Sequence, residues 1–226
     1  MSSPPSSTQQ TLSNAVEVED LTRRYGDRVA LDRVSFEVRD SKTLVVFGPN
    51  GAGKTTLLKV LATLLRPHEG SVRVLGCKLP DEAWKLRGQI GYLGHEPALY
   101  RSLTARENLR FAARLHGVGN GRVDELLDAV GLARRGDDRI EEFSRGMRQR
   151  IAAARTVLHE PRLLLLDEPW SAIDPRAVAL LEPLIGRASG CTRILVTHDV
   201  ERGRAEADQA LAIRSGRVVP VEEAFA

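Results

Sequence analysis

At 226 residues the chain has room for one large globular domain with a subdomain inserted in it, and its composition is ordinary for an α/β protein. The 33 basic and 30 acidic residues leave a net charge of +3, too small to argue for a nucleic-acid partner, and a pair such as Arg134-Arg135 reads as solvated surface. The longest aliphatic run is Leu163 to Leu166, far short of the roughly 18 to 20 apolar residues of a membrane span, so the chain is not expected to cross a membrane.

Met1 to Asn14 is rich in Ser, Pro, Thr and Gln, without the basic and apolar regions of a signal peptide, and is expected to be a disordered tail before a domain spanning residues 15–226. Val16, Val18, Val34, Phe36 and Val38 alternate with polar residues around Gly26-Asp27, which predicts antiparallel strands. Leu44 to Phe47 reads as a short buried strand, and Leu57, Leu58, Val60, Leu61, Leu64 and Leu65 recur at helical spacing until Arg66-Pro67. Between them lies Gly48-Pro49-Asn50-Gly51-Ala52-Gly53-Lys54-Thr55-Thr56, a complete G-x-x-x-x-G-K-T loop. In that strand-to-helix context the glycines let backbone N–H groups turn onto phosphates. The helix N-terminus adds positive potential, and Lys54 reaches the outer phosphates. Thr55 is placed to ligate Mg²⁺, and the implied ligand is a nucleoside triphosphate.

Ser71 to Leu75 and Ile90 to Leu93 read as further strands. Thr104 and Glu107 form a capping-box sequence that opens a helix through Phe111 and Leu115. A second helix is predicted over Val123 to Val130, stopped by Gly131, and a third from about Arg145 to Leu158. Strands return at Leu163 to Leu166 and Ile194 to Thr197, separated by a helix with Asp174 as N-cap and Pro175 at its first position. The pattern predicts an α/β fold. Its core is a mostly parallel sheet with an N-terminal antiparallel β layer and a helical subdomain inserted over about residues 96–158. Cys77 and Cys191 lack metal or redox spacing and read as free thiols of a reducing compartment.

Leu163 to Leu166 ends in Asp167-Glu168, where the first acid can hold Mg²⁺ and the second can act as general base. Pro169, Ser171, Ala172, Ile173 and Asp174 follow, and Thr197-His198-Asp199 closes the next strand; Phe143-Ser144-Arg145-Gly146-Met147 starts the helix upstream. This order of motifs, from Val16 to about Val219, resembles the nucleotide-binding subunit of ABC transporters and the P-loop NTPase fold of that type. The resemblance implies an ATPase using ATP and Mg²⁺, in which two subunits, a homodimer or a pair, face head to tail over two ATPs. Ser144 and Gly146 would meet the γ-phosphate on the opposite subunit, and Asp174 would lie at the seam between the subunits. His198 would contact the γ-phosphate and attacking water, and Tyr25 would stack on adenine. A tyrosine packed on the sheet is the other reading of Tyr25.

Two departures qualify the resemblance. Arg145 and Met147 replace a glycine and a glutamine of the usual Leu-Ser-Gly-Gly-Gln, and His95 stands where a glutamine is usual, near the Mg²⁺ site. Gly94-His95-Glu96-Pro97, Leu103 to Leu109, and Asp167 to Asp174 with Trp170 resemble the ATP-binding subunit of the haem exporter of cytochrome c maturation. This implies integral membrane permease partners, a peripheral place on the cytoplasmic face of the inner membrane, and no nucleic acid. The ATPase of another exporter, for drugs or lipids, and a soluble ABC-type ATPase are the alternatives.

Overall fold

The alternation between Val16 and Val38 resolves into a hairpin. In the computed structural model, which describes residues 13–171 and 173–225, β1 (Asn14–Tyr25) and β2 (Arg28–Arg39) pair antiparallel across Gly26-Asp27, with Tyr25 opposite Arg28. Asn14, assigned to the tail from sequence, opens β1, and residues 1–12 of that expected tail lie outside the described residues. β3 (Thr43–Phe47) leads through the phosphate loop into α1 (Lys54–Leu61). The helix stops four residues before the predicted Leu65. Thr63 takes a left-handed φ of 62°, and the amides of Leu64 and Leu65 both turn back to the Lys59 carbonyl. Leu64 is left 60% exposed, so the apolar pattern outruns the helix that it predicts.

β4 (Glu69–Val74) and β5 (Cys77–Leu79) complete an antiparallel sheet in the order β2-β1-β4-β5. β5 was not anticipated, because three residues are too few to show a period. After β6 (Ile90–Leu93) come α2 (Ala105–His116), α3 (Gly121–Ala129, two residues earlier than predicted) and α4 (Arg145–Val157). β7 (Leu163–Asp167), α5 (Pro175–Ile185), β8 (Thr192–Val196), α6 (Val200–Glu206), β9 (Gln209–Arg214) and β10 (Arg217–Val219) follow. The second sheet runs β10-β9-β3-β8-β7-β6, parallel throughout except for the β9–β10 pair.

Every residue of β3, β7 and β8 is buried. The period of two along each strand divides their side chains between two apolar layers. Leu44, Val46, Leu163, Leu165, Ile194 and Val196 pack toward α1 and the antiparallel sheet, with Val18, Leu31, Leu57 and Leu61. Val45, Phe47, Leu164, Leu166 and Leu195 face the opposite way, toward Leu109, Leu126, Ile151 and Leu181 of α2 to α5. Both faces covered is the condition under which a parallel sheet is stable in water, and each fully buried aliphatic side chain adds about 1.5–3 kcal/mol.

The predicted capping box closes α2. The Glu107 amide donates to Thr104 Oγ1 at 3.1 Å, and the Thr104 amide donates to Glu107 Oε2 at 2.8 Å. Thr104→Ala is expected to cost about 1 kcal/mol of folding stability. Denaturant unfolding at constant m-value checks this, with ATP affinity unaltered.

Candidate functional site

The carboxyl ends of β3, β6, β7 and β8 open on one side of the sheet, where α/β folds place their ligands. A cavity of about 510 Å³ lies there, lined by Asn50 to Thr56, Tyr25, Arg28, Ala30, His95, Asp167, Glu168, Ser171, Val196 and His198. Two loop glycines are required by geometry. Gly48 has φ 142° and a side chain there would strike the Ile213 carbonyl; Gly53 has φ 110° and would strike that of Ala30. Glycine at both points lets the loop lie flat against its neighbours.

Lys54 is 8% exposed and donates to the carbonyls of Gly48 at 2.6 Å and Pro49 at 2.9 Å. These two residues stand behind the cavity wall as partners of the lysine, and an ammonium has a third proton to give. Burial pushes the Lys54 pKa down, opposed by the nearby charges of Glu168 and Asp167. At the end of β7, Asp167 is 3% exposed and its Oδ2 accepts from Thr55 Oγ1 at 2.7 Å. Burial raises its pKa above the usual carboxylate value, against the lowering effects of the Thr55 hydrogen bond, His95 and Lys54. A desolvated carboxylate beside a hydroxyl is a set of hard oxygen donors. It suits Mg²⁺, which binds through one or two carboxylates together with substrate phosphates.

Glu168 adopts a left-handed φ of 51°, uncommon outside glycine, while its amide still bonds the Val196 carbonyl of β8 at 2.9 Å. This turn brings its carboxylate against the end of β8. Oε2 accepts from Thr197 Oγ1 at 3.3 Å, and Oε1 lies 2.8 Å from His198 Nδ1. A carboxylate only accepts, so the His198 tautomer that makes this contact carries its proton on Nδ1. The sequence reading directed His198 to a phosphate, and its contact here is with the acid.

Tyr25 is 46% exposed at the mouth of the cavity, with the Arg23 guanidinium 5.2 Å from its ring centroid, so it is not packed into the sheet. His95 lines the wall near Asp167. Three predicted residues lie away from this cavity. Ser144 caps α4, accepting from the Met147 amide at 3.3 Å; Gly146 is in the first turn of that helix; and Asp174 Oδ1 caps α5, accepting from the amides of Arg176 and Ala177 at 3.1 and 3.0 Å. Ala172 lies outside the described residues. Sequence reasoning missed Arg28 and Ala30, and it named Ser171 and Thr197 within their motifs without giving either a role. Arg28, whose Nη2 donates to the Gly51 carbonyl at 3.4 Å, could have been found from the two-residue turn that sets it opposite Tyr25.

Residues 31–171 match the family model described as ABC transporter. The chain is 40% identical over 213 residues to the daunorubicin resistance ATP-binding protein DrrA3 of Streptomyces coeruleorubidus, covering 91% of this chain and 67% of that one. It is 32% identical to the bacitracin transport ATP-binding protein BcrA of Enterococcus faecalis, covering 90% of this chain and 68% of the relative. The dimeric, post-hydrolysis structure of the ATP-binding cassette MJ0796, bound to ADP and Pi, superposes with a TM-score of 0.82 at 27% identity, over 91% of this chain and 97% of that one.

The raised Asp167 pKa fixes the sign of a stability effect. Between the unfolded value and the higher folded one, the native state keeps a proton that the unfolded chain has lost. Stability therefore falls as pH rises through that window, and the loss persists at neutral pH. Asp167→Asn, which keeps an acceptor for Thr55, is expected to raise the thermal midpoint of the ligand-free protein at pH 7. It is also expected to remove the stabilisation that Mg²⁺ adds in the presence of ATP, as differential scanning calorimetry would measure.

Proposed function

The chain belongs to the ABC transporter family as its ATP-hydrolysing subunit, and from that premise we propose that it drives a membrane permease that exports a drug- or antibiotic-like compound. The observation that carries the catalytic part is one cavity that joins the phosphate loop, the Thr55–Asp167 contact and the Glu168–His198 contact. In this reading the triphosphate lies over the amides of Asn50 to Thr56, and Lys54 turns its ammonium to the β- and γ-phosphates. Tyr25 stacks on the base. Thr55 and Asp167 would hold Mg²⁺, which when bound neutralises charge on the β- and γ-phosphate oxygens.

Glu168 then accepts a proton from water as the water oxygen bonds to the γ-phosphorus and the bond to the bridging oxygen of ADP breaks. His198, hydrogen-bonded to Glu168, orients that acid and reaches toward the γ-phosphate. His95 hydrogen-bonds water near the Mg²⁺ site. Ser144, Gly146 and Asp174 lie off the cavity of their own chain, which supports their use by a second subunit paired head to tail. No helix among the described residues is long and apolar enough to span a membrane. In this reading a permease supplies the membrane path, and the chain works at the cytoplasmic face.

The cargo assignment rests on the relatives named for daunorubicin resistance and bacitracin transport. The haem-exporter reading rested on Gly94 to Pro97, Leu103 to Leu109 and Asp167 to Asp174, and these relatives do not support it. His95 lines the nucleotide cavity, and Trp170 is hydrogen-bonded to Glu206, so both residues have partners within this chain that say nothing of cargo.

Glu168→Gln is expected to bind ATP normally, to accumulate as a closed pair on size-exclusion chromatography, and to lose at least about 100-fold in turnover. Normal turnover would remove Glu168 from the role of base. Captured from native membranes with Mg-ATP, the same variant should retain a permease, and cells with both chains should tolerate daunorubicin better than cells with the variant. Recovery of cytochrome c maturation factors would restore the haem reading, and recovery of soluble partners alone would defeat the transporter reading.

A further inference from the structure

Glu168 and His198 stand at the ends of different strands, so their 2.8 Å contact is only as fixed as the two segments that follow them. Both segments run into one polar network. Trp170, two residues beyond Glu168, donates its indole N–H to Glu206 Oε1 at 2.8 Å. Glu206 ends α6, the helix that begins just after His198 and is capped by Asp199. It is 7% exposed, and its other oxygen accepts from Arg193 Nη1 at 2.7 Å. Arg202, one turn earlier on α6, adds a 3.3 Å hydrogen bond to Glu206 Oε1 and lays its guanidinium 4.1 Å from the centre of the Trp170 ring.

The anchor of this network is Arg193 on β8, only 1% exposed. It also donates to Thr43 Oγ1, at 2.9 and 3.2 Å, and to the Ile185 carbonyl at 3.1 Å, so each of its three nitrogens is hydrogen-bonded. A buried ion pair held by several hydrogen bonds resists displacement, because moving either member strands a charge out of water. The Trp170 segment is also tied to α4. Gln149 Nε2 donates to the Pro169 carbonyl at 3.3 Å, and Arg145 Nη2 donates to Ser171 Oγ at 3.3 Å.

We propose that the Trp170–Glu206 hydrogen bond is a positioning latch for ATP hydrolysis. It clamps the segment after Glu168 onto the helix after His198 and so holds the base and its histidine in register. Through Arg145 and Gln149 the same segment is joined to the helix that presents Ser144 to the second subunit. Trp170 does not line the nucleotide cavity, so it acts through Glu168 and not on the reacting atoms. The proposal rests on Glu168 as the base.

Trp170→Phe tests it, because a six-membered aromatic ring stays against the apolar core while the indole N–H is lost together with the pyrrole ring. The expected result is a kcat about tenfold lower, the order of loss that slight misplacement of a catalytic group produces. Directly measured ATP affinity should stay within about twofold, because it does not depend on how the base is aimed, and the thermal midpoint should fall by no more than a few degrees, about what one lost hydrogen bond costs. Trp84→Phe, at an exposed position off the cavity, should match the parent chain. A parental kcat in Trp170→Phe would overturn the latch. So would a joint loss of kcat, ATP affinity and thermal stability, which would mark Trp170 as a residue of the fold alone. Glu168→Gln assayed in parallel separates the two readings: if it is inactive while Trp170→Phe is normal, only the latch falls; if it is active, the base assignment falls.

Discussion

The structure depends on burying both faces of a parallel sheet. In β3, β7 and β8 every residue is buried, so these strands meet solvent and ligand chiefly at their ends. Parallel strands align those ends. The phosphate loop, Asp167-Glu168 and Thr197-His198, far apart in the chain, therefore emerge on the same side of the molecule. The apolar layers above and below act as walls that hold four loop origins in fixed relation.

Charge is concentrated where those ends converge, and its cost is visible in two groups. Lys54 and Asp167 are both nearly inaccessible, and burial drives each toward its neutral form. Neighbours limit that drift: carboxylates for the lysine, and a hydroxyl, an imidazole and the lysine for the aspartate. Such a site favours ligands that bring complementary charge, as the phosphates of ATP and a divalent cation would. The left-handed backbone at Glu168 belongs to the same economy, since it turns the second acid toward β8 while the first stays in the sheet. The network around Glu206 extends this order one layer outward, with a buried guanidinium serving as the fixed point.

Much of this was legible in the residues. The capping box at Thr104, the N-cap at Asp174, the aliphatic strand before Asp167 and the complete phosphate loop each express a local rule, and each lies where that rule puts it. Local rules also misled. Apolar spacing carried α1 to Leu65, although the backbone turns at Thr63; short β5 showed no period. Arg28 escaped notice, and Thr197 was named without its Glu168 contact, because a partner across a hairpin or on a neighbouring strand is set by register, which one segment does not display. Trp170 was read for cargo, while its contacts lie with Glu206 and Arg202; His95, placed at the nucleotide site from sequence, lines that cavity.

By itself the sequence determined the chemistry: a loop able to hold phosphates, two acids at the end of a buried strand, and a family whose members hydrolyse ATP. These follow from residue type and close spacing, which the chain cannot rearrange. The tertiary structure decided which of those residues share a cavity. It gathered Tyr25, Lys54, His95, Asp167, Glu168 and His198, and left Ser144, Gly146 and Asp174 on other surfaces. It also decided that His198 meets Glu168 and that Arg193, Glu206 and Trp170 form one network. The physical reason is distance along the chain: such contacts depend on strand order and register, which emerge only when the whole core is packed.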